Sequence, residues 1–137
     1  MKKYCFLLLC VLLCISLLGC NDYQGNRPID QPNTTWISED GNIVIEVDSE
    51  GLAVGCFYAD EEKINFLFRP SPVTILMYQL DEDILSEDNE TIIWSTANKP
   101  LMEKWQPKFS HDDHFTIRVK ETTYFEIGQK IEFYRKD

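Results

Sequence analysis

From Thr35 to the C-terminus, apolar residues recur at every second position. That is the period of strands with one buried face, not of helices. Ile43, Ile45 and Val47 alternate with Val44, Glu46 and Asp48, and Leu52, Val54 and Cys56 share one face. Ile64, Phe66 and Phe68 follow, then Val73, Ile75 and Met77. Phe115, Ile117 and Val119 alternate with Thr116, Arg118 and Lys120, and near the end Ile131 and Phe133 are opposed by Lys130, Glu132 and Tyr134. Turn-forming clusters separate these runs: Glu39 to Asn42, Asp48 to Gly51, Ala59 to Glu62, Pro70 to Pro72, Ser110 to Asp113, and Gly128. Each is rich in residues that tolerate tight or left-handed backbone. The spacing predicts about eight or nine strands.

Short connections make successive strands antiparallel neighbours. One apolar face per strand requires the sheet to bury that face on itself. The predicted fold is therefore all-β: an antiparallel up-and-down meander closing into a small barrel of about eight strands. Pro107 lies in a candidate strand over Trp105 to Ser110, and its missing N–H predicts an edge or a bulge there. Asp81 to Asn89 and Ala97 to Lys104 have room for a helical turn each, and no long helix is predicted.

The first twenty residues follow another rule. Lys2 and Lys3 precede an apolar run from Tyr4 to Ser16, then Leu17-Leu18-Gly19-Cys20. Cationic start, short apolar stretch and small residue before the cut are the parts of an export signal. The run is short for a membrane-spanning helix, which needs about 20 apolar residues. Leu-Leu-Gly-Cys resembles the lipobox of bacterial lipoproteins. The resemblance implies cleavage before Cys20, a diacylglycerol on its sulfur, and a protein held by lipid on the extracytoplasmic face of a cell membrane. Residues 1–19 then form the signal, 20–34 a lipidated cysteine with a polar tether, and 35–137 one folded domain. In the tether only Tyr23 and Ile29 are apolar.

On that reading Cys5, Cys10 and Cys14 leave with the signal and Cys20 carries lipid, so Cys56 is the one free thiol and no internal disulfide is expected. Losing Lys2 and Lys3 leaves 11 basic against 23 acidic residues, a net charge of −12 in place of −10. Such a domain repels nucleic acid and anionic headgroups, and neither is expected as a partner.

Two positions add a resemblance. Trp36 lies in the first strand, and Arg135 lies on the inward face of the last. The arrangement resembles lipocalins and their calycin relatives, where a first-strand tryptophan meets a last-strand arginine as the barrel closes. It implies a cation–π pair between Trp36 and Arg135. The lipobox, the polar tether, Thr34-Thr35-Trp36 and the closing Gly128-x-Lys130-Ile131-x-Phe133-Tyr134-Arg135 are also similar to uncharacterised small lipoproteins of Gram-positive bacteria.

Candidate chemistry is sparse. His111-Asp112-Asp113-His114 offers nitrogen and oxygen ligands, yet in a hairpin turn with no third distant ligand. Asp81 to Glu90 is acidic but lacks the spacing and glycine of a calcium loop. Cys56 has no neighbouring histidine to activate it. No nucleophile elbow, phosphate loop or zinc motif is present. We expect no catalytic residues, no metal and no cofactor. Trp94, Trp105, Tyr78 and Tyr124 are expected in packing, and any aromatic left exposed beside a polar rim is the best binding candidate.

The expected function is a monomeric, non-catalytic surface domain binding a protein or peptide, cationic by charge complementarity. One variant is an inhibitor loosely similar to membrane-bound lysozyme inhibitors. The alternative is a calycin-like carrier with an apolar pocket lined by Phe66, Phe68, Phe115 and Phe133. An envelope hydrolase is a weaker third.

Overall fold

The structure, a computed structural model, describes residues 28–81, 84–85, 88–96 and 100–136. The lipobox, Cys20 and residues 21–27 lie outside the described residues, as do Glu82, Asp83, Glu87 and the side chain of Trp94. Eight strands run β1 (Thr34–Ser38), β2 (Val44–Val47), β3 (Ala53–Ala59), β4 (Glu62–Pro70), β5 (Ile75–Leu80), β6 (Leu101–Phe109), β7 (His114–Thr122) and β8 (Lys130–Lys136). Each pairs antiparallel with the next, and β8 returns to β1, so the meander closes into a barrel. This is the all-β meander barrel that the period-two pattern predicts, and its architecture is lipocalin-like.

In such a meander the β1–β2, β3–β4 and β7–β8 turns lie at one end. The start of β1 and the end of β8 lie at the other, with Thr35 opposite Lys136. We call these the hairpin end and the terminal end.

Inside, aromatic side chains fill the lumen in one chain of contacts. Trp36 packs on Phe115 (ring centroids 5.4 Å), Phe115 on Phe133 (5.0 Å), and Phe133 on Trp105 (6.0 Å). Trp105 then meets Phe68 (6.2 Å), which meets Phe66 (6.3 Å), which meets Phe57 (5.8 Å). An eight-stranded barrel is just wide enough to be filled in this way, and burying each ring is worth roughly 1.5–3 kcal/mol.

Several expectations change. The face of Leu52, Val54 and Cys56 points outward: Ala53 and Phe57 are the buried residues of β3. Leu52 and Val54 are covered from outside, in a second cluster with Leu67, Leu80, Ile84 and Ile92. That cover comes from α1 (Asn89–Thr96) and the segment before it. The helical turn expected within Asp81 to Asn89 is present as a 3₁₀ turn at residues 84–85, where the Ile84 N–H donates to the Asp81 carbonyl at 3.1 Å. The one expected over Ala97 to Lys104 is not matched, since Leu101 to Lys104 is strand, and α1 lies between the two sites. The β-branched run Thr91-Ile92-Ile93 disguised it, although Asp88 carries the N-cap signature. Its Oδ1 accepts from the Thr91 N–H at 2.8 Å and the Thr91 hydroxyl at 2.9 Å. No described helix is long and apolar enough to cross a membrane.

Pro107 lies on a locally free edge of β6, as expected, and not in a bulge. The bulge falls between Lys104 and Trp105. β5 begins with Ile75 opposite Trp105, so residues 106–109 pair only with β7 and a missing donor on the β5 side costs no ladder bond. Packing also begins earlier than Thr35. Pro28–Asp30 forms a 3₁₀ turn, and Ile29 is buried in the barrel core at 1% exposure. The apolar residue in the polar tether marks that start.

Two aspartates fasten the outer cover. Asp48 Oδ1 accepts from the N–H groups of Glu50 (2.9 Å) and Leu52 (2.8 Å), and Oδ2 accepts from the Asn89 amide (2.9 Å). Burial pushes the Asp48 carboxyl up, but the N–H of Leu52 and the other donors outweigh it and hold it below its ordinary value. The N–H and hydroxyl of Thr91 hold Asp88 down likewise. A folded-state value below the unfolded one gives stability that is present above about pH 4 and lost as pH falls through the depressed value. Acid titration followed by near-ultraviolet circular dichroism should therefore show loosening that begins below about pH 4, and Asp48→Asn should flatten it. A profile unchanged by that substitution would remove Asp48 from this role.

Candidate functional site: an acidic aromatic mouth

Three turns at the hairpin end surround a recess of about 730 Å³. The β1–β2 turn supplies Asp40 and Asn42, the β3–β4 turn Tyr58 and Asp60, and the β7–β8 connection Tyr124, Phe125 and Glu126. Its floor is apolar: Phe57 meets Tyr124 edge-on at 5.3 Å and Phe125 at 5.1 Å, and Phe125 rests on Trp105 at 5.6 Å. Tyr58 stands 58% exposed at the rim.

Each wall has a local cause. Asp40 accepts from the Ser38 hydroxyl at 2.5 Å and the Asn42 N–H at 3.0 Å, which closes the first turn. The second is a two-residue hairpin, with Ala59 paired to Glu62 and both Asp60 (φ 50°) and Glu61 (φ 68°) left-handed. That geometry favours Asn-Gly, and side chains other than glycine cost about 1–2 kcal/mol each there. The turn keeps two carboxylates where glycine would be easier, as strained residues at binding sites often are.

The third wall hangs on Glu103, which is 0% exposed. Glu103 Oε1 accepts from the N–H groups of Thr123 (2.7 Å) and Tyr124 (3.0 Å) and from the Thr122 hydroxyl (2.9 Å). Glu103 Oε2 accepts from the Trp105 indole at 3.3 Å. The β6–β7 bulge makes this possible. It adds a residue between Val119 and Glu121, so Glu121 turns out to meet Lys104 at 3.2 Å and Thr122 turns in to Glu103. Glu103 is not evident from the sequence, because the helical turn expected over Ala97 to Lys104 hides its place on a strand. The available signal was an acidic residue two positions before Trp105, on the inward phase of a strand.

The residues singled out from the sequence are placed as follows. Phe66, Phe68, Phe115 and Phe133 are brought together, but as mutually packed core rings. Trp36 and Arg135 face each other across the closing seam. The Trp36 indole donates to Thr34 Oγ1 at 3.0 Å while its ring packs on Phe115, and Arg135 donates to Gln31 Oε1 at 2.9 Å. They share a register position, and each is held by other groups. Trp105 is buried, Tyr78 half-buried, and Cys56 half-buried on the outer wall.

His111 and His114 converge across the β6–β7 turn. Their rings stack at 3.9 Å, and His114 stacks on Tyr134 at 5.7 Å. Asp113 Oδ1 lies 3.1 Å from His114 Nδ1, and that contact holds the Asp113 carboxyl below its ordinary value. Among the described residues, no three or more His, Cys, Asp or Glu side chains gather where they could hold a metal ion.

Comparison of the chain with protein-family models, with curated proteins and with solved structures found no match. The reading of the site rests on its own geometry.

Proposed function

We propose that this protein is a lipid-anchored, non-catalytic binding domain whose hairpin-end mouth receives a cationic segment of a protein or peptide. The observation that carries the reading is the mouth itself: Asp40, Asp60 and Glu126 around Tyr58, Tyr124 and Phe125. A lysine or arginine side chain gains there both from carboxylates and from aromatic faces, the latter worth about 0.5–2 kcal/mol. Charge distribution supports the choice. Residues 28–96 carry two basic and fifteen acidic residues, against seven and six over residues 100–136. The acidity belongs to the β1–β5 part of the wall and its cover, which supplies two of the three turns at the mouth.

The packed lumen favours this reading over the carrier, whose ligand would have to displace rings already in contact. The anchor proposal rests on Leu17 to Cys20. The mouth lies at the end of the barrel opposite the start of β1, so a tether would present it away from the membrane.

The test is recovery of partners from an envelope extract by the full-length protein at low and high salt, beside an Asp60→Asn, Glu126→Gln, Tyr58→Ala variant. A basic protein recovered at low salt, released by salt and bound at least about tenfold more weakly by the variant is the expected result. Recovery of only a lipid or metabolite would overturn the reading.

A further inference from the structure

The outer wall of β6–β8 has a different character from the rest of the barrel. Gln106, Lys108 and Ser110, then Thr116 and Arg118, then Lys130 surround an open groove of about 430 Å³. Arg118 sits directly opposite Lys130 on β8 and opposite Gln106 on β6, while Thr116 sits opposite Lys108. Like charges placed directly across a sheet destabilise it. A chain with net charge −10 has many carboxylates to spend on such a pair, and places few of them here. Lys130 reaches Glu132 at 2.7 Å. Arg118 and Lys108 have neither an acidic nor a hydrogen-bonding side-chain partner among the described residues.

We propose that this groove is a binding site for a compact phosphate-type oxyanion carried on a small molecule. Such a group needs a planar fork, point charges and neutral donors around a concavity. Arg118 supplies the fork, Lys108 a free charge and Lys130 a charge it would have to share with Glu132, and Thr116, Ser110 and Gln106 the neutral groups. Size follows from screening. Beyond roughly 8 Å at physiological salt a charge is largely hidden, so a compact group feels chiefly Arg118 and Lys108, with Lys130 shared with Glu132 opposite Thr116. A long polyanion extends onto the acidic remainder of the barrel and is repelled. The groove is separate from the acidic mouth, and neither proposal depends on the other.

Inorganic pyrophosphate is the probe, titrated into the full-length protein and followed by amide chemical shifts. Shifts should concentrate at residues 106–110, 116–118 and 130. The double variant Arg118→Gln, Lys130→Gln should weaken binding at least about tenfold, while Lys63→Gln on β4 leaves it unchanged. Removing a like-charge pair should not lower the melting temperature, which separates lost binding from lost folding. Scattered shifts, equal losses in the β4 variant, or binding of long-chain polyphosphate alone and undiminished by the double variant would each overturn the site.

Discussion

Replacing Glu103 by alanine is expected to cost about 2–4 kcal/mol, because it unpairs neutral donors that converge on a buried side chain. The carboxylate is buried, and four donors converge on its two oxygens. Its removal strands the Thr123 N–H and the Trp105 indole, while the Tyr124 N–H keeps Thr122 Oγ1 at 3.1 Å, and each buried unsatisfied donor costs roughly 1–3 kcal/mol. Total stability of a domain this size is about 5–15 kcal/mol, so much of the margin goes. Glu103→Gln keeps the shape but turns an N–H₂ toward other donors, and should fall between alanine and the native protein. Urea denaturation with both variants measures this as a shift in midpoint at constant slope. Midpoints unchanged within about 0.5 kcal/mol would mean that the turn at Thr123 to Phe125 stands without Glu103. The same variants should weaken partner capture at the mouth, because Tyr124 and Phe125 line it.

Gly55→Val is expected to be nearly as damaging, for a steric reason. A Cβ at position 55 would collide with the Val44 carbonyl oxygen and lie 2.5 Å from Phe66 Cζ. Valine is the better strand former by up to about 1 kcal/mol, yet overpacking a closed core costs about 1–3 kcal/mol and sometimes more. The clash wins because one obstacle is backbone and cannot rotate away. Gly55→Ala should lose less, and adding Phe66→Leu should recover part of it by clearing the ring but not the carbonyl. Thermal unfolding of the four proteins decides the matter. An alanine variant as stable as the parent would show that the Phe66 ring moves aside freely.

These two residues also mark where the sequence stops being readable. Phe115, Ile117 and Val119 announce their inward face because their neighbours are polar, and Ile43, Ile45 and Val47 do so with Val44 the one apolar neighbour, so one phase of the pleat is favoured. β3 and β4 do not announce theirs. Val54 and Leu67 are apolar on the outer face as well, because α1 and the segment before it cover them, and two apolar faces leave the phase ambiguous. Ala53 and Gly55 on the inner face are small because Phe66 and Phe68 come from the facing strand. Only pairing reveals that economy.

The candidate site was legible in kind but not in place. Net charge points to cationic partners, and an exposed aromatic beside a polar rim, expected among Trp94, Trp105, Tyr78 and Tyr124, occurs instead at Tyr58. Tyr58, Asp60 and Glu126 are far apart in sequence, and nothing local brings them to one rim. His111 and His114 show the same limit at three residues' distance, since ring stacking depends on the turn's dihedrals and on Tyr134 beyond.

By itself, then, the chain's period-two alternation narrowed the strand number to eight or nine and pointed to an antiparallel meander, because strands with one apolar face joined by short turns must pair in order and bury that face together. Tertiary structure decided which turns share an end, which apolar face looks inward on β3, and that Glu103 is tolerated in the core. Those depend on contacts between strands distant in sequence, whose energies no local pattern encodes.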